Sequence, residues 1–104
     1  MSEKTLRFIG GHLIGPLSAT IPLATLRVSS SKLVIRSFFA AAELKASEVT
    51  ALKEVIFIPF LGQGIKIIHN QPQLPKTIIF WSLKNPEKLI QAINDKGFVP
   101  EGVQ

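Results

Sequence analysis

Residues 76–98 read KTIIFWSLKNPEKLIQAINDKGF, a run of strand composition that turns into a helix pattern almost without a break. Ile78 and Phe80 alternate with Ile79 and Trp81, and a period of two places the two pairs on opposite faces of a strand. Both faces are apolar, so both must be covered. Asn85 stands where a side-chain oxygen caps a helix, Pro86 suits the first helical position, and Glu87 puts negative charge at the positive end of the helix dipole. Leu89, Ile90 and Ile93 share one face at helical spacing. Gly97 reads as a left-handed stop, with Phe98 placed to fold back on Ile93. The spacing predicts a helix from about Pro86 to Lys96.

Upstream, the chain reads as strands. In residues 25–36, Leu26 and Val28 alternate with polar neighbours, as do Leu33 and Ile35, on either side of a serine cluster. With Ser30 and Ser31 at the turn centre, Val28 faces Leu33 and Leu26 faces Ile35, four apolar side chains on one side of a hairpin. A second pair is expected around EVIFIPFLGQGIKIIH, with Ile65 and Ile67 facing in and Lys66 out. Pro59 belongs at a strand end or bulge, and Pro72 and Pro75 separate this pair from the strand that follows. Before residue 24, Gly10, Gly11, Gly15, Pro16 and Pro22 imply short or bent strands whose boundaries stay open. Residues 40–54 carry a conflict, since Ala, Leu, Glu and Lys favour a helix while Ser47 to Thr50 also suit a turn between two strands. Many strands followed by one amphipathic helix point to a small barrel or sandwich plugged by that helix.

Composition places this architecture in one domain spanning residues 1–104: 46% of residues are hydrophobic and 18% charged, which excludes a disordered tail. There are no cysteines. The longest apolar run, around Val55 to Leu61, falls far short of the roughly 20 residues of a spanning helix. No signal-peptide pattern opens the chain, so a cytoplasmic protein is expected, with the inner membrane surface as its one peripheral station. The net charge of +5 comes from twelve basic residues scattered between Lys4 and Lys96, which reads first as an ordinary solvated surface.

The segments IPLATLRVSSSKLVIRS, KASEVTAL, GIKIIH and IIFWSLKNPEKLIQAINDKGF together resemble bacterial domains of the pleckstrin-homology superfold. That resemblance covers most of the chain from Ile21 to Phe98 and rests on apolar spacing. It implies a bent antiparallel barrel of about seven strands closed by a C-terminal helix, mainly β with one α-helix. It also favours Glu43 to Ala46 as strand and the Ser47 to Val49 piece as turn. For function it implies a binding module for phosphoinositides, peptides or other proteins. The phosphoinositide binders carry a basic cluster ending in a basic residue, any residue, then arginine. This chain departs from that pattern, having no Lys-x-Arg or Arg-x-Arg, so no ligand residue is carried over.

The chemistry-bearing residues are few. His12 and His69 stand far apart without cysteine, where a zinc site needs three or four ligands, so no metal or other cofactor is expected. There is no Gly-x-Ser-x-Gly elbow, and Gly62-Gln63-Gly64 leads into a strand, which makes it a turn and not a dinucleotide loop. An enzyme is not expected. Arg27 and Arg36 lie diagonally on the outward face of the predicted hairpin, and with Lys66 on the same side of the barrel they would form a small cationic patch suited to phosphate or carboxylate. Phe60 and Leu61 sit at a reversal where polar residues are usual; they either tuck under the barrel or form an apolar tip facing a partner or membrane. Nucleic acid is not expected, because the aromatics mostly read as core. The leading expectation is a non-catalytic module that binds a protein or a second copy of itself, motivated by barrel edges and the two-sided apolar strand Ile78 to Trp81. The alternative is an anionic lipid surface or other phosphate-bearing ligand at the basic patch.

Overall fold

A computed structural model describes residues 5–57 and 62–102. The strands are β1 (Leu6–Ile14), β2 (Leu17–Val28), β3 (Lys32–Arg36), β4 (Ala41–Lys45), β5 (Val49–Phe57), β6 (Gly62–His69) and β7 (Ile78–Ser82), followed by helix α1 (Pro86–Asp95). They form one seven-stranded sheet in the order β4-β3-β2-β1-β7-β6-β5, every neighbour antiparallel. Leu33, Ile35 and Leu44 from one end of the sheet share a single core with Val49, Ile65 and Ile67 from the other. One face of the sheet is therefore curled inward, and the molecule is a half-barrel.

Both expected hairpins are present, but Gly62-Gln63-Gly64, expected as the turn of the second, belong to β6 and pair with Phe57, Ile56 and Val55 of β5. Leu26 pairs with Ile35 and Val28 with Leu33, all four buried. The serine turn closes itself: Ser29 N–H donates to the Lys32 carbonyl at 3.0 Å, and Ser29 Oγ accepts from the backbone of Ser31 and Lys32. In the second hairpin, Ile65 and Ile67 are fully buried while Lys66 is only half covered. The conflict over residues 40–54 resolves as strand, a single 3-10 turn (Ala46–Glu48), then strand. Ala42 and Leu44 enter the core while Ala41, Glu43 and Lys45 stay in water, an alternation that only an extended chain achieves. Packing overrides helix propensity here. Glu48 accepts the Lys45 N–H at 2.8 Å and so secures the turn.

The first two strands are longer than their glycines and prolines suggest, nine and twelve residues, and their pairing shifts between Gly10 and His12. The glycines answer a close approach. A Cβ on Gly10 would strike the Trp81 carbonyl, and one on Gly11 would lie 2.5 Å from the Trp81 indole. Trp81 thus lies across Gly11 on the outward side of β7. This contact helps to bury Trp81, which lies opposite the core and is still only 7% exposed, while Ile79 on the same side is 8% exposed.

α1 begins and ends as its sequence demands. Asn85 Oδ1 accepts from Glu87 N–H at 2.8 Å and Lys88 N–H at 3.3 Å. Gly97 adopts φ +107°, its N–H donates to Asn94 O, and Phe98 N–H donates to Ile93 O at 3.3 Å. This is the full glycine-terminated helix end. α1 packs on β5 and β6. Leu89, Ile93 and Phe98 are fully buried, each contributing roughly 1.5–3 kcal/mol of transfer free energy. Beyond them, Glu101 N–H reaches Ala46 O and Gly102 N–H reaches Val49 O, tying the tail to the link between β4 and β5.

Candidate functional site

Alternation along paired strands sorts every side chain of β1 to β4 onto one of two faces. The inner rows are Leu6–Val28–Leu33–Leu44 and Phe8–Leu26–Ile35–Ala42. The outer rows are Arg7–Arg27–Val34–Glu43 and Ile9–Thr25–Arg36–Ala41, with Lys32 opposite Lys45 beyond them. Arg27 and Arg36 are thus brought together, diagonally, as their hairpin register requires. Between them lies a shallow depression of about 290 Å³, bordered also by Thr5, Thr25, Lys32 and Glu43, with Arg7 outside its lining. Glu43 is the one carboxylate on these outer rows, and it is engaged by Lys32 Nζ at 3.4 Å. Among the described residues, no ion pair involves Arg7, Arg27 or Arg36.

Lys66 also faces outward, but between Lys53 of β5 and Ile79 of β7. Strands β1 and β7 separate it from β2, so it belongs to a different part of the convex surface. Phe60 and Leu61 lie outside the described residues. The two-sided apolar strand at Ile78 to Trp81 is covered by the chain itself, and so offers no apolar surface to a partner.

Two features of this face escape the sequence reading. Arg7 stands directly opposite Arg27, a placement that follows only from the register of β1. Phe38 and Phe39, 90% and 53% exposed, occupy the tip of the β3–β4 hairpin, where Ser37 N–H donates to Ala40 O at 2.8 Å. The aromatics are therefore not all core: Phe80, Trp81 and Phe98 are buried, and this pair is not. The signal was available in RSFFAAA, because a strand ending at Arg36 and resuming at Ala41 puts two phenylalanines where hairpin tips prefer Gly, Asn or Asp.

The histidines do not meet. His12 is fully buried on the inner face of β1, its Nε2 2.8 Å from Ser37 Oγ and its ring edge-on to Phe39 at 6.1 Å. Burial holds its pKa below the usual 6.5, against a smaller opposing pull from the backbone of His12 and Leu17. The interior ring is neutral and holds the β3–β4 turn. His69 ends β6, where Nε2–H donates to Pro75 O at 2.7 Å and Nδ1 accepts from Gln71 N–H at 3.0 Å. It fastens the loop before β7. No cluster of three metal-ligating side chains occurs among the described residues, and none of their helices is long and apolar enough to cross a membrane. No protein-family model, curated protein or solved structure matches this chain.

Proposed function

We propose that this chain is a non-catalytic binding module of pleckstrin-homology-like architecture, and that it takes an anionic ligand on the outer face of β1 to β3. The seven antiparallel strands in one curled sheet, followed by a helix, support the architecture. The ligand reading is carried by the Arg7–Arg27 pair. Like charges directly opposite each other in a sheet are destabilising, and this pair has Arg36 and Lys32 beside it with the nearby Glu43 already engaged. A bound anion relieves that repulsion, and the guanidinium fork is suited to phosphate or carboxylate oxygens. Titration calorimetry with tripolyphosphate tests this: binding is expected at low ionic strength, weaker at about 0.15 M salt. Arg27→Gln should weaken it by about tenfold, the scale of a lost charge-assisted hydrogen bond. Absence of binding at low salt sinks the proposal.

A second reading, self-association or binding of another protein, draws support from the sheet ends. β4 and β5 each have a sheet neighbour on one side only, and such edges are templates for further pairing. Light scattering coupled to size exclusion decides the self-association form, which a monomer at high concentration would remove.

A further inference from the structure

The basic face ends in an apolar rim. Phe38, at the β3–β4 tip, is 90% exposed, and beside the Thr25–Arg36 row stand Ile9 at 52% and Leu23 at 48%. Leu83, 92% exposed, follows Ser82, whose partner Gly10 adjoins Ile9. The tip is held from behind, with Ser37 Oγ on His12 Nε2 at 2.8 Å and the Phe39 ring edge-on to the same imidazole. Ser37 and the Phe39 ring contact His12 while Phe39 stays half exposed, and Phe38 projects. A fixed apolar projection bordering uncompensated arginines is an unusual use of a hairpin tip, where solvent-compatible turn residues are the rule.

Resting on the anionic-ligand reading above, we propose that this rim docks on the surface of an anionic lipid bilayer. Phe38 enters the boundary between headgroups and acyl chains, while Arg36, Arg27 and Arg7 meet lipid phosphates. Charge complementarity points to an anionic occupant: the outer rows hold three arginines and two lysines against one carboxylate that Lys32 engages. The apolar rim selects the bilayer among anionic occupants. Interfacial binding combines buried apolar area with attraction to anionic headgroups, and aliphatic Ile9, Leu23 and Leu83 add to that area. Single-stranded nucleic acid is bound instead by rings laid along a basic groove for base stacking. Here the most exposed ring projects from a tip, and its neighbours are aliphatic.

The test is sedimentation with phosphatidylcholine vesicles, with and without phosphatidylglycerol, alongside tripolyphosphate and an oligothymidylate as soluble polyanions. Binding to the phosphatidylglycerol vesicles is expected. Phe38→Ser should weaken it by about tenfold or more, the loss of one buried aromatic, and leave tripolyphosphate affinity unchanged. Phe38 is so exposed that its loss does not threaten folding. In Phe38→Trp, emission should shift blue on these vesicles and be quenched by brominated lipid, over a constant background from buried Trp81. Tripolyphosphate binding without vesicle binding overturns the bilayer proposal and leaves the anionic-ligand reading standing. Vesicle binding indifferent to Phe38→Ser overturns it too, as does Phe38-dependent binding of oligothymidylate without vesicles. If neither vesicles nor polyanions bind, both readings fall.

Discussion

The β2–β3 and β3–β4 turns reverse the same ribbon at opposite ends of β3, and they are built from opposite materials. In the first, Ser29 Oγ accepts from the backbone N–H groups of Ser31 and Lys32, so the turn satisfies itself with its own side chain. In the second, Ser37 N–H closes the reversal on Ala40 O, but the tip residues Phe38 and Phe39 supply no side-chain acceptor, and the side-chain hold runs from Ser37 and Phe39 to His12, 25 residues from Ser37 in sequence and on the inner face. A turn that closes locally is complete once the chain reverses. A turn held from the interior leaves its outward residues with no task in folding, and such residues are free to meet a partner. Locally closed and interior-held turns should therefore respond differently to substitution.

The largest effect is expected at the anchor. His12→Ala opens a cavity in the inner face and removes the Ser37 contact, and it should cost about 2–4 kcal/mol in urea unfolding. The anchor also makes stability depend on pH. Because the folded ring has a depressed pKa, it binds fewer protons than the unfolded one. Its contribution is complete above the unfolded value of 6.5, declines as pH falls below it and levels off under the folded value. Unfolding midpoints compared between wild type and His12→Leu should show this acid-side decline in the wild type alone. Equal slopes would mean that the buried ring is not the anchor described. Ser37→Ala, which leaves the imidazole Nε2 without its hydroxyl partner, should cost about 1–3 kcal/mol, the range for a buried polar group losing its partner.

The same distinction governs what could be read from the sequence. The β7–α1 junction and the serine turn were legible because their signals are local: Asn85, Pro86 and Gly97 each act within a few residues, as Ser29 does. The half-barrel was legible from the alternating strands and the closing helix. Arg7 was not, because its place depends on the register of β1, whose pairing with β2 shifts between Gly10 and His12. Lys66 was expected on the same side of the barrel as Arg27 and Arg36, within one patch, and stands apart from them because β1 and β7 come between, a matter of sheet order that no local pattern encodes. In residues 41–45 local propensity pointed to helix, and only burial of Ala42 and Leu44 decides for strand. The candidate site was thus half visible, Arg27 and Arg36 through hairpin spacing, and half dependent on contacts distant in sequence.

At the locally closed turn a smaller loss is expected. Ser29→Ala removes an acceptor from two backbone donors at 3.3 and 3.2 Å, and these long bonds suggest about 0.5–1.5 kcal/mol. The change should not depend on pH and should leave His12 untouched. A loss as large as that of His12→Ala would erase the contrast between the turns.

The smallest effect is expected at the tip, and it is the most discriminating. Phe38 is 90% exposed, so Phe38→Asn removes almost no packing and supplies a residue that turns favour. Its effect on the unfolding midpoint should lie within about 0.5 kcal/mol of zero. Phe39→Asn should differ, because the Phe39 ring meets His12 and is only 53% exposed; part of the His12 loss should reappear there. If both substitutions are silent, Phe39 is no part of the anchor, and the turn is held by Ser37 alone. If both are costly, Phe38 is packed as well, and the tip is a structural element with nothing to spare for a ligand. Only the unequal result, a silent Phe38 beside a costly Phe39, fits a turn with one phenylalanine facing the interior and the other facing outward.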